Sequence, residues 1–139
     1  MAYTNFIIAH TPPAAYYRVN ESSGTIATDA SENNLDAIYV GSPTFSQTSA
    51  ISEPGTTSIL LDGTTQYIDI GTQLDTLITD KFSLSLYVKF TTLPSDTETF
   101  MIIDSHDKYQ LLIMKSGANE GVYIFLPGIH TLVTDAPFI

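Results

Sequence analysis

The sequence predicts an all-β fold of antiparallel strands, and three observations predict it. Helical periodicity is almost absent along the 139 residues. Apolar residues alternate with polar ones, most clearly over residues 82–90, where Phe82, Leu84, Leu86, Val88 and Phe90 are interleaved with Ser83, Ser85, Tyr87 and Lys89. Turn signals recur about every ten residues, which is the spacing of a sandwich or barrel.

In chain order, residues 1–13 carry one short apolar run, Phe6-Ile7-Ile8-Ala9, and close on Pro12-Pro13. A Pro pair favours extended backbone before it. Residues 1–13 are therefore expected to be an N-terminal arm or edge segment, with one domain over 14–139. Strands are expected at 14–19 and at 35–40, the latter before the turn Gly41-Ser42-Pro43. Segments 58–61 and 66–70 flank Asp62-Gly63-Thr64-Thr65 and are expected to form a hairpin, because Asp-Gly supplies the positive φ that a tight turn needs. In the second of these strands Ile68 and Ile70 would point inward, and Tyr67 and Asp69 outward. A helical or 3₁₀ turn fits only at 72–80, where Leu74, Leu77 and Ile78 recur.

Residues 82–90 are the clearest strand, with five apolar side chains on one face and a mainly polar set on the other. Four more strands follow at 99–103, 109–115, 121–126 and 130–134. Ser105-His106-Asp107, Ser116-Gly117-Ala118-Asn119 and Pro127-Gly128 separate them.

Composition narrows the function. Fifteen acidic and five scattered basic residues give a net charge of −10. Such a chain repels phosphate backbones and anionic lipid, so neither nucleic acid nor membrane is expected as a partner. No segment has the length of a transmembrane helix. Cysteine is absent, which removes disulfides, thiolate metal sites and Cys nucleophiles together. The first residues lack the basic start and long apolar run of a secretory signal peptide.

Four stretches, in order, carry a family resemblance. They are Tyr16-Tyr17-Arg18-Val19-Asn20-Glu21-Ser22-Ser23-Gly24, then Asp29-Ala30-Ser31-Glu32-Asn33-Asn34, then Leu61-Asp62-Gly63 with Gln66-Tyr67-Ile68, and last Phe82-Ser83-Leu84-Ser85-Leu86-Tyr87-Val88-Lys89. This series resembles the opening of the concanavalin A-like, laminin-G-like jelly-roll domains found in phage tail and virion structural proteins. The resemblance covers 15 to about 125, and its motifs end at Lys89. It implies an antiparallel two-sheet jelly-roll sandwich with a lectin-like character. Tyr87 stands where such domains usually have Trp. The chain closes on the apolar run Pro137-Phe138-Ile139, so the jelly roll is expected to be incomplete at its C-terminus. Either a longer parent chain or a covering partner would complete it.

Candidate sites are few. Glycoside hydrolysis needs two carboxyl groups across the scissile bond. The Glu-x-Asp-x-x-Glu strand of glucanases in this superfamily has no counterpart here. The nearest acidic pairs, Asp104/Asp107 and Asp96/Glu98, sit in turn-rich sequence where Asp serves local hydrogen bonds. His10, His106 and His130 lack metal spacing, and no Gly-x-Ser-x-Gly elbow exists. The chain is therefore expected not to be an enzyme.

Calcium is the candidate cofactor. Asp29, Asn33 and Asp36 in loop 29–36, with Asp62, offer the oxygen ligands that Ca²⁺ takes, and an Asx-rich turn explains the same residues. The family resemblance also implies Ca²⁺ at a sandwich rim. For carbohydrate, exposed aromatics would lie against sugar faces beside polar groups. Tyr67 with Asp69, Tyr87 with Lys89, and Tyr109 with Gln110 fit, and Tyr39 and Tyr123 are further choices among eight Tyr in a Trp-free chain. The expectation is a non-enzymatic virion or extracellular-surface structural protein, oligomeric, acting in assembly or adhesion with other surface proteins. The alternative is a glycan-recognition module, with a glycoside hydrolase a distant third.

Overall fold

The computed structural model describes residues 12–76, 83–92, 95, 98–104, 110–116, 119–126 and 129–132. Among these the protein is all-β, built from nine antiparallel strands and one 3₁₀ turn, Gln73–Thr76. The strands are β1 (Ile26–Ala27), β2 (Ala37–Val40), β3 (Thr44–Thr48), β4 (Thr57–Leu60) and β5 (Tyr67–Asp69), then β6 (Thr99–Asp104), β7 (Gln110–Ser116), β8 (Asn119–Leu126) and β9 (Ile129–Leu132). Two compact units divide the chain, Met1–Tyr87 and Val88–Ile139.

The first unit holds two small sheets, ordered β1-β2-β5 and β3-β4. In the three-stranded sheet Ala27 pairs with Ala37, Ile38 with Asp69, Tyr39 with Ile68, and Val40 with Tyr67. The two-residue period of a strand then sorts the side chains. Ala27, Ala37 and Tyr39 are buried on one face, and Ile26, Ile38, Tyr67 and Asp69 are exposed on the other. Tyr17, Val19, Ile68 and Ile70 pack on the buried cluster, as do Phe45 of β3 and Ile59 of β4, so both sheets share one core. The small side chains of Ala27 and Ala37 leave room for the Tyr39 ring. That ring meets Phe45 edge-on, centroids 5.2 Å apart, a geometry worth about 0.5–1.5 kcal/mol beyond burial.

The second unit is a four-stranded meander, β6-β7-β8-β9. A register shift between Met101 and Ile103 resets the alternation of β6. Met101 before it is exposed, whereas Ile102 and Ile103 are both half-buried. Leu112 of β7, opposite Met101, is buried. Phe90 and Phe100 stack in a tilted pair with centroids 5.9 Å apart.

Several expectations need correction. Residues 83–90 form no strand: they belong to no ladder, and Ser83 through Lys89 are all exposed. Alternation states which face a strand would bury, but pairing needs a neighbouring edge to meet the backbone N–H and C=O groups. Segments 58–61 and 66–70 are strands but not a hairpin, since β4 pairs with β3 and β5 with β2. The Asp62 turn therefore carries the chain from one sheet to the other. Segment 14–19 contributes a single bridge, Tyr17 to Asp29. The short strand β1 and the polar strand β3 were not expected. The four strands of the second unit lie within two residues of the stretches that the turn signals separate, and Ile68 and Ile70 point inward as expected. Residues 1–11 of the expected N-terminal arm lie outside the described residues, which begin at Pro12.

Candidate functional site

The polar centre of the first unit is Asp29, which is 4 % exposed. Its Oδ1 accepts from the backbone N–H of Tyr16 at 2.8 Å and of Ser31 at 2.9 Å. Its Oδ2 accepts from the Ser31 hydroxyl at 2.6 Å and the Leu35 N–H at 2.9 Å. Four donors fill the lone-pair positions a carboxylate offers. Burial alone would raise this carboxyl's pKa, but the bonds from Ser31, Tyr16 and Leu35 together outweigh it and hold the pKa below the ordinary value.

Around Asp29 the loop closes on itself. Asp36 Oδ1 accepts from the Asp29 N–H at 2.9 Å, Asn33 donates its side-chain N–H to the Ala14 carbonyl at 2.9 Å, and the Tyr17 hydroxyl donates to the Leu35 carbonyl. Burial first, then the negative charges of Asp29 and Asp36, push the Tyr17 phenol up to about 12. Glu21 forms a second latch: its carboxylate accepts from the Tyr39 hydroxyl at 2.6 Å and the Thr28 N–H at 3.0 Å. Burial, and then this carboxylate, raise the Tyr39 phenol well above its usual range.

Asp62 repeats the pattern at the surface. Its Oδ1 accepts from the N–H groups of Thr64, Thr65 and Gln66 at 2.8–2.9 Å, and its Oδ2 from the Thr65 hydroxyl at 2.7 Å. These bonds, the Thr65 hydroxyl first, hold its carboxyl far below the usual carboxylate range. The calcium candidates thus fall into two separate turns: Asp29, Asn33 and Asp36 in one, Asp62 in the other. Both oxygens of Asp29 and of Asp62 are committed to protein donors. No group of three His, Asp or Glu side chains placed to hold a metal occurs among the described residues.

The sugar candidates separate as well. Tyr67, 53 % exposed, and Asp69 share the outward face of β5. Across the ladder from them stand Val40 and the exposed Ile38. Tyr87 is exposed and lies in segment 83–90, which forms no strand. Gln110 belongs to the second unit, half-buried and donating to Asp104 at 2.9 Å. Tyr109 lies outside the described residues. Tyr39, the further choice, is corrected: it is 4 % exposed and a core residue, since Glu21 satisfies its hydroxyl.

What sequence reasoning missed is the apolar content of the outward sheet face. Ile26 and Ile38 pair across β1 and β2, and both are about half exposed. With Val40 and Tyr67 they make one continuous surface, bordered by Asp69. The available signal was the small-residue pair Ala27 and Ala37, which fit a tight core only if Ile26 and Ile38 turn outward. One shallow depression of about 520 Å³ lies at the β3–β4 connection, lined by Ser46, Thr48, Ser49, Glu53 and Thr57 among others, and none of the sugar candidates lines it. No protein-family model, curated protein or solved structure matches this chain.

Proposed function

We propose that this chain is a non-enzymatic structural protein of a virion or cell surface, with a lectin-like jelly-roll domain that acts in assembly or adhesion. The observation that carries this reading is the outward face of β1-β2-β5, where Ile26, Ile38 and Tyr67 stay 45 %, 51 % and 53 % exposed. Apolar side chains set contiguously on a sheet face mark an interaction surface. The jelly-roll arrangement is supported by the single core that β1-β2-β5 and β3-β4 share. A structural role also accounts for carboxylates that latch loops: Asp29, Glu21 and Asp62 all accept hydrogen bonds from their own chain.

The test uses sedimentation and a glycan array together. Ile38→Lys places a charge on the exposed face with no core cost, and it is expected to abolish association with copies or surface partners. No glycan is expected to bind. The second reading, glycan recognition, rests on Tyr67 and Asp69 sharing one exposed face. An array hit lost in Tyr67→Ala, with association unchanged in Ile38→Lys, would replace the structural reading with that one.

A further inference from the structure

Asp62-Gly63 is the one Asp-Gly step in the chain, and Asn-Gly does not occur. An Asp-Gly step can rearrange without an enzyme. The reaction starts from the neutral side-chain acid. The glycine's main-chain nitrogen bonds to the side-chain carbon Cγ, and the carboxyl O–H leaves with the nitrogen's proton as water. A succinimide ring results. Water then opens the ring at either carbonyl. One opening restores aspartate, and the other leaves isoaspartate, with the main chain running through the former side chain. The water lost is regained, so only solvent takes part. Glycine favours the step because it has no Cβ to crowd its nitrogen.

Steric crowding gives this step no protection. Residues Asp62 through Thr65 are exposed, and nothing lies within 4 Å of where a Gly63 Cβ would stand. Hydrogen bonds supply what crowding does not. The N–H groups bonded to Asp62 Oδ1 are those of Thr64, Thr65 and Gln66, and the Thr65 hydroxyl holds Oδ2. The carboxylate is thus turned over the residues that follow Gly63. Such bonds favour the anion, from which no oxygen can depart as water. To react, the carboxyl must release these donors, take up a proton and turn toward the Gly63 nitrogen. The main chain is fastened as well. Gln66 accepts from the Asp62 N–H at 3.0 Å and donates to the Ser42 carbonyl at 3.1 Å.

We propose that Asp62-Gly63 is a latent modification site, at which the Asp62 hydrogen bonds suppress rearrangement to isoaspartate while the turn is closed and permit it when the turn opens. Isoaspartate adds one carbon to the main chain and displaces the free carboxylate. A modified turn therefore cannot remake the four bonds, and the modification becomes a lasting record of local opening.

The test counts isoaspartate at residue 62 by peptide mapping, after ageing at one temperature and one mildly acidic pH. Unaltered protein in guanidinium chloride is expected to form it at least about tenfold faster than folded protein, since one hydrogen bond to a charged group already corresponds to a factor of that order. Thr65→Val removes the hydroxyl donor and nearly keeps the shape. The folded variant is expected to react about fivefold faster or more, whereas Thr65→Ser, which retains the hydroxyl, matches the unaltered protein. In guanidinium chloride all three chains should react alike, because the turn is gone. Circular dichroism checks that each variant ages folded; if Thr65→Val does not, the folded and denatured unaltered protein decide the matter alone. A folded rate equal to or above the denatured one would overturn the protection, as would a folded Thr65→Val no faster than the unaltered protein. A denatured chain that forms no isoaspartate would overturn the site itself.

Discussion

Asp29 ties together three segments of the first unit that are distant along the chain. Through it the bridge strand at Tyr16, the loop at Ser31 and the approach to β2 at Leu35 are held to one carboxylate. Asp29→Asn exchanges one acceptor oxygen for a donor and strands at least one buried N–H, which costs about 1–3 kcal/mol. Urea denaturation is expected to show that loss, and Asp29→Ala a larger one, since all three N–H groups then lack an acceptor. The same carboxyl sets an acid limit. Its pKa is lower folded than unfolded, so its contribution is complete above the unfolded value near 4 and is lost as pH falls through the folded value. Acid titration of stability should fall more steeply below pH ~4 in the native protein than in Asp29→Asn. Tyr17 behaves in the opposite sense. Its phenol ionises near 10 when unfolded and at about 12 when folded, so the stability it contributes is complete below pH ~10 and declines as pH rises toward 12. Tyrosinate absorbance should show a late-ionising class that loses one member in Tyr17→Phe.

Turns decide how the elements connect. Gly41, between β2 and β3, has φ +79°, and a Cβ there would stand 2.7 Å from the Thr65 carbonyl oxygen. Gly63 has φ +73° with open space around it. Both positions disfavour a side chain, but only Gly41 adds a backbone clash. Gly63→Ala is expected to cost about 1–2 kcal/mol, and Gly41→Ala measurably more, by thermal denaturation. Gln66 reinforces this approach, accepting from the Asp62 N–H at 3.0 Å and donating to the Ser42 carbonyl at 3.1 Å. These contacts explain where sequence reading stopped. The Asp62-Gly63 turn was legible because its chemistry is local, but local chemistry is silent on which strands pair on either side. β7 and β8 were legible because each is a continuous apolar run set between turn-forming residues of the sequence. β3 was not, because Phe45 is its one apolar residue. Tyr67 and Asp69 were read outward correctly from the period of two. Tyr39 was misjudged because its inward place depends on Glu21, distant in sequence, meeting its hydroxyl. Three of the four motifs behind the family resemblance hold Tyr17, Glu21, Asp29 and Asp62 at such latches, and residues 83–89 of the fourth form no strand.

At the scale of the whole molecule, charge and apolar exposure oppose each other. A net charge of −10 on 139 residues keeps copies apart. The half-exposed Ile26, Ile38, Leu84 and Val88 draw them together. The balance depends on salt. Between 0.01 M and 0.1 M ionic strength the screening length falls from about 30 Å to about 10 Å, which weakens repulsion between whole molecules but leaves apolar burial almost untouched. If apolar contact drives assembly, sedimentation velocity should show self-association strengthening as salt is raised over this range. An assembly held by ion pairs would weaken instead, and the five basic residues are too few and too scattered to hold one. Ile38→Lys sharpens the measurement. It lowers the net negative charge by one and so reduces repulsion slightly, yet it is expected to weaken association. A gain of association in this variant would mean that charge, rather than the apolar surface, governs how these molecules meet.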